Sequence, residues 1–249
     1  MKSFSHILVG FAVAFMITET SSFAAETTQK DKEKTYSVLL SAAQGKMNLI
    51  FEDRTDDQFL VGCCDFYGIG TETDYEKAFQ WFSQVAEKGH VLAQFDLGVC
   101  YLKGCGVEKD VSEAIRWLNM AAEQDYAPAL ALLANCYAKG HGVSQDMDEA
   151  INLYHKAAKR GHAKAQYILG RCYECGDGVE TNTKEAFFWY EKSAQQGNHD
   201  AEYALGKCYY DGIGVKKNKE KALRWFQIAA DKGQQNAVDA IKEYEKESE

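Results

Sequence analysis

Apolar residues along most of this chain return at helical spacing rather than in strand-like alternation. Ala114, Trp117, Leu118, Ala121 and Ala122 fall on one helix face. The segment before them ends in two glycines, Gly104 and Gly106. Glycines there mark a helix terminus, because glycine takes the left-handed conformation without steric cost. A short turn then reaches Asp110, whose side chain can accept from the free N–H groups of a new helix. The predicted unit is helix, glycine turn, helix.

That unit recurs every 36 residues without a gap. "LGVCYLKGCGVEKD" (97–110) aligns with "LGRCYECGDGVETN" (169–182) and "LGKCYYDGIGVKKN" (205–218). The copies at 61–74 and 133–146 share the register. Gly68, Gly104, Gly140, Gly176 and Gly212 form one column; Asp or Asn fills position 74, 110, 146, 182 or 218 of another. Glu113, Glu149 and Glu185 stand where a reciprocal capping box would need them, whereas Lys77 and Lys221 predict weaker caps in the first and last copies. Gly89, Gly161, Gly197 and Gly233 close the second helix, with Asp125 in that place in the second copy.

The pattern LG-x-x-Y-x-x-G-x-GV, followed by Asp, Ala, an aromatic and an Ala-Ala pair, resembles the Sel-one-like repeat family, cousins of the tetratricopeptide repeats, over about residues 56–249. Thr71 in place of Val and Ala134 in the Gly98 column are departures. The resemblance implies an all-α, right-handed α-solenoid of helix-turn-helix repeats, serving as a scaffold or peptide-binding module. Five repeats are expected over 59–233, an N-terminal capping segment over 34–58 and a charged capping helix over 234–249. Residues 25–33 read as a disordered linker, and 47–58 as an inserted loop or distorted helix.

Residues 1–24 follow the plan of a secretory signal: Lys2, an apolar run from Ile7 to Ile17, then Ser22-Phe23-Ala24. Export to the periplasm or the medium is the expectation. The run is too short to span a bilayer stably, so no stable membrane insertion is expected. A net charge of −9 argues against a nucleic-acid partner.

The register of the cysteines decides how they are read. Cys64, Cys100, Cys136, Cys172 and Cys208 form a ladder in the first helices, which reads as small buried hydrophobes. Equivalent points on stacked helices lie about 8–10 Å apart, beyond disulfide reach. The Cys172-x-x-Cys175 pair therefore owes one member to the ladder, and it sits at a helix C-terminus, where the dipole disfavours a thiolate. His155, His162 and His199 supply no matching metal half-site, so neither metal nor cofactor is expected. Cys63, Cys105 and Cys175 lie off the ladder; Cys100 with Cys105 and Cys172 with Cys175 are the nearest local pairings. Cysteine-rich members of the resembled family bridge their two helices within each repeat, a pattern absent here.

No catalytic signature is present: no Ser-x-x-Lys, no Gly-x-Ser-x-Gly and no His-Glu-x-x-His. A β-lactam or cell-wall hydrolase, like some cysteine-rich relatives, is only the second reading. The first is a scaffold that binds a protein or peptide through the concave face, lined by the first helices. Positions i, i+4 and i+7 share a helix face. The candidate binding residues on that stripe are Phe95, Val99 and Leu102; Asn135; Tyr167, Arg171 and Glu174; Tyr203, Lys207 and Tyr210. Tyrosine and arginine are favoured at binding hot spots. The tyrosines either face a ligand or pack between helices; spacing leaves both open.

Overall fold

The computed structural model describes residues 29–44 and 55–246, and among these there are twelve helices and no strand. The chain divides into two compact units that meet at Gln124 and Asp125, and each is described by itself. The N-terminal unit holds α1 (Gln29–Ala43), α2 (Thr55–Tyr67), α3 (Tyr75–Ala86), α4 (Val91–Lys103) and α5 (Val111–Glu123). The C-terminal unit holds α6 (Ala127–Lys139), α7 (Met147–Lys159), α8 (Ala163–Cys175), α9 (Thr183–Ala194), α10 (His199–Asp211), α11 (Lys219–Asp231) and α12 (Gln235–Lys246). Five helix pairs, α2 with α3 through α10 with α11, repeat the predicted unit. Residues 1–24, the expected signal, lie outside the described residues, as do 45–54.

Each first helix of a pair ends on its glycine. Gly104 sits at φ 75° and its N–H donates to the Cys100 carbonyl. The second glycine does more than turn the chain. A Cβ on Gly106 would lie 2.0 Å from the Tyr75 carbonyl oxygen, and one on Gly214 2.0 Å from that of Thr183. The loop therefore lies directly on the start of the preceding pair's second helix, an approach only glycine permits.

All five second-helix caps form, but the reciprocal half of the capping box does not. Asp110 accepts from the Glu113 N–H at 3.0 Å, while its own N–H donates to the Tyr101 carbonyl. Asp74, Asp146, Asn182 and Asn218 donate in the same way to Asp65, Tyr137, Tyr173 and Tyr209. With that donor satisfied, the Glu113 side chain turns to Arg116 and that of Glu149 to Asn152. At the first cap, where a weaker one is expected, the Lys77 ammonium pairs with Asp74 at 2.8 Å.

The N-terminal segment departs from expectation. α1 begins at Gln29, so residues 29–33 of the expected disordered linker are helical. Lys30, Lys32 and Glu33 are good helix formers, and the helix they extend is anchored by fully buried Leu39. The first helix of the first pair starts at Thr55, inside the segment expected to be a loop or distorted helix. Asp56 and Asp57 in its first turn suit the positive end of the helix dipole.

A polar contact in the second, fourth and fifth pairs, which in the second and fourth also reaches back to the preceding pair, had no sequence signal. Gln94 donates to the Ala86 carbonyl and accepts from Gln124; Gln166 donates to the Ala158 carbonyl and accepts from Gln196. In the last pair the same places hold Glu202 and Lys232, 2.5 Å apart. A carboxylate cannot donate as the glutamine amides do, and the buried Glu202 Oε2 is left without a partner.

Candidate functional site

The stripe on the first helices is shaped by one residue of each second helix. Phe82, Leu118, Tyr154, Tyr190 and Phe226 recur at the 36-residue period and are all buried. They lie against a small residue in the middle of the paired first helix. A Cβ on Gly62, Gly98, Gly170 or Gly206 would come within 2.5–2.8 Å of Phe82, Leu118, Tyr190 or Phe226. The rings thus pass under the first helix and meet the stripe from below.

In the C-terminal unit this decides what the candidate residues touch. Tyr203 and Tyr210 flank the Phe226 ring at centroid distances of 5.7 and 6.4 Å. Tyr167 lies 5.9 Å from the Tyr190 ring, and the Tyr190 hydroxyl donates to Glu174 at 2.5 Å. Burial first, then this bond to a carboxylate, pushes the Tyr190 hydroxyl up. Burial also raises Tyr167, helped by Asp200 and opposed by Arg171. Tyr154 donates to Asn135 at 2.9 Å, and the Asn135 amide donates to the Ala131 carbonyl. The two alternatives for the tyrosines therefore merge: each is half-buried, with part of its ring in the core.

Asn135 and Glu174 are taken up by tyrosine hydroxyls from below. Arg171 is exposed and Lys207 half-buried. Lys219 adds a cation 5.4 Å from the Tyr210 ring centroid. In the N-terminal unit Phe95, Val99 and Leu102 are half-buried on α4. There Phe82 is flanked by Phe59 at 5.7 Å and Phe66 at 6.1 Å. A hollow of about 340 Å³ opens elsewhere in that unit, with Tyr36 and Lys77 in its wall, and the Tyr36 hydroxyl donates to buried Asp65.

The structure absorbs most of the histidines and cysteines into the framework, with His199 and Cys175 exposed. His90 and His162 cap α4 and α8, each accepting at Nδ1 from the N–H three residues on. Asn198 and Gln234 cap α10 and α12 from the same column. The column varies among His90, Tyr126, His162, Asn198 and Gln234, so no single residue type signals it as a cap in the sequence. His155 bonds the Tyr173 hydroxyl at 3.1 Å. The five ladder cysteines are buried and all eight thiols are free. Burial pushes the Cys172 thiol up to about 11, the wrong direction for a reactive thiolate, while Cys175 is exposed. Among the described residues no cluster of three or more His, Cys, Asp or Glu could hold a metal ion, and no helix is long and apolar enough to cross a membrane.

Helix pairs of constant length, a glycine turn and a capped second helix define the class of α-solenoid repeat proteins. The model of the Sel1 repeat matches residues 55–90, 91–126, 127–162, 163–198 and 199–234, and the chain belongs to that family. A Sel1 repeat protein from Oxalobacter formigenes is similar at 28% identity and a TM-score of 0.72, covering 94% of this chain and 86% of that one. The protective antigen c5321 of uropathogenic Escherichia coli, with an SLR fold, shares 23% identity and a TM-score of 0.70 over 96% of this chain and 56% of its own. The immunity protein Pa5087 of Pseudomonas aeruginosa has the same fold at 17% identity and a TM-score of 0.59, over 91% of this chain and 81% of that one. No curated protein matches the chain. Sel1 repeats generally mediate protein–protein interaction.

Proposed function

We propose that the chain is an exported, non-catalytic scaffold that binds a protein or peptide along the first-helix stripe, with the principal contacts in the C-terminal unit. The observation that carries this reading is the surface made by Tyr167, Arg171, Tyr203, Lys207 and Tyr210. Its tyrosines are fixed by the rings beneath them, so they lose little freedom on binding, and two cations stand among them. Export rests on the signal-like residues 1–24. Nothing observed favours the hydrolytic alternative, since burial raises Tyr167 on the stripe and Tyr190 beneath it, which is the opposite of an activated nucleophile.

The test is affinity capture from an envelope lysate with mature protein, beside a Tyr167→Ala/Arg171→Ala/Tyr203→Ala/Lys207→Ala variant of unchanged circular dichroism. The expected result is a partner held by the native stripe and lost by the variant. A partner retained equally by both overturns the assignment.

A further inference from the structure

One acidic side chain in the N-terminal unit has no role in the fold. Asp96 of α4 stands in a column that holds Leu60, Leu132, Ile168 and Ala204 in the other four repeats. It is half-buried, and among the described residues no hydrogen bond or ion pair reaches it. Burial alone pushes its carboxyl up to about 7. The titratable groups it acts upon are Cys63 and Tyr67 of α2 and Cys100 of its own helix, all of them themselves raised, with burial the leading cause. No charge on α3 or α5 acts on it in return. An apolar residue would fit this position as it does in every other repeat, so the carboxyl is held half-buried without a partner from the protein.

The surroundings indicate what would compensate it. Tyr67 stands where the other repeats carry Lys103, Lys139, Cys175 and Asp211, and it is 57% exposed. Phe66 lies 5.0 Å from Tyr67 and 5.1 Å from Tyr75, and Tyr75 is itself 46% exposed. Asp96 lies within electrostatic reach of Tyr67, whose ring continues through Phe66 to Tyr75, and a carboxylate with accessible aromatic rings is the pairing that holds an organic cation, by charge and by the negative ring faces together. The charge of the unit agrees. Residues 55–124 contain twelve acidic and five basic side chains, a net −7, whereas residues 125–246 contain seventeen of each. The chain's acidity is thus concentrated in the unit that carries this patch, where it would draw in a basic partner.

We propose that Asp96, Tyr67, Phe66 and Tyr75 form a subsite for an arginine or lysine side chain of the bound polypeptide. It rests on the reading that the first-helix face binds a peptide, and it assigns the N-terminal unit the recognition of a cation.

The probe is a set of capped pentapeptides, Gly-Ala-X-Ala-Gly, with arginine, lysine, citrulline or norleucine at X. Each is titrated into the mature chain and followed by the Tyr67 ring and Asp96 carboxyl resonances. At pH 8 the arginine and lysine peptides should bind at least about tenfold more tightly than the neutral ones. Asp96→Asn should erase that preference. Lowering the pH from 8 to 6 should weaken cation binding about tenfold, as a carboxyl titrating near 7 becomes protonated. Asp96→Leu, which restores the residue of the first and third repeats, should raise the melting temperature and abolish selectivity. Equal binding of charged and neutral peptides, binding of none, or a lower melting temperature in Asp96→Leu would each overturn the subsite. The quadruple alanine variant of the C-terminal stripe should bind these peptides as the native chain does. Loss of the captured partner by that variant alone therefore speaks to the C-terminal stripe, and loss of selectivity in Asp96→Asn alone speaks to this subsite.

Discussion

At the scale of single residues, the repeat reuses positions and varies the chemistry that fills them. The residue before the first helix shows this most clearly: His90, His162 and Asn198 cap through the side chain, whereas Tyr126 does not. His162 accepts the Ala165 N–H through Nδ1, which requires that nitrogen to be unprotonated. Burial first, with Lys164 adding to it, holds its pKa below the ordinary value. The unfolded chain therefore takes up the proton first as pH falls. The stabilisation is complete above the unfolded pKa of about 6.5 and is lost as pH drops through the lower folded value. His162→Asn would cap as Asn198 does, without a titrating group. The native chain should accordingly lose about 0.5–2 kcal/mol relative to this variant between pH 7.5 and 5, the worth of an N-cap. Urea unfolding of the pair across that range measures the difference, in which the other titrating groups cancel. A difference independent of pH would mean that the imidazole is not the cap.

At the scale of the helix pair, the governing contact is one ring against one glycine. Phe226 is 3% exposed and an added Cβ on Gly206 would lie 2.5 Å from two of its carbons. Alanine is the better helix former by about 1 kcal/mol, yet overpacking against a ring that cannot swing away costs about 1–3 kcal/mol. Gly206→Ala should lower the urea midpoint with an unchanged slope; a raised midpoint would show the ring to be free to move. This pairing also marks where sequence reading ended. Periodicity revealed the helix pairs, the glycine turn and the Asp/Asn caps, because those are local and repeat in every copy. It did not show that Tyr154 and Tyr190 reach through to Asn135 and Glu174, since that needs the register between two helices. Nor did it show where the N–H of Asp110 goes, so a capping box was expected where a bond to the Tyr101 carbonyl does the work. Single departures such as Asp96 were visible as letters but carried no meaning until burial was known.

At the scale of the whole molecule, one face of the helix pairs is proposed to bind and the other to support it. The half-buried tyrosines on the first helices are rigid and mixed with cations, while much of the outward side of the second helices carries exposed polar residues such as Lys156 and Gln227. The most direct measurement is site-specific photocrosslinking in cells, with a benzophenone side chain placed in turn at Tyr203 and Lys207 on the stripe and at Lys156 and Gln227 on the second helices. The expected result is a discrete crosslinked species of the same size from both stripe positions and none from the other two. Crosslinks from Lys156 and Gln227 with none from the stripe would contradict it and assign binding to the opposite face.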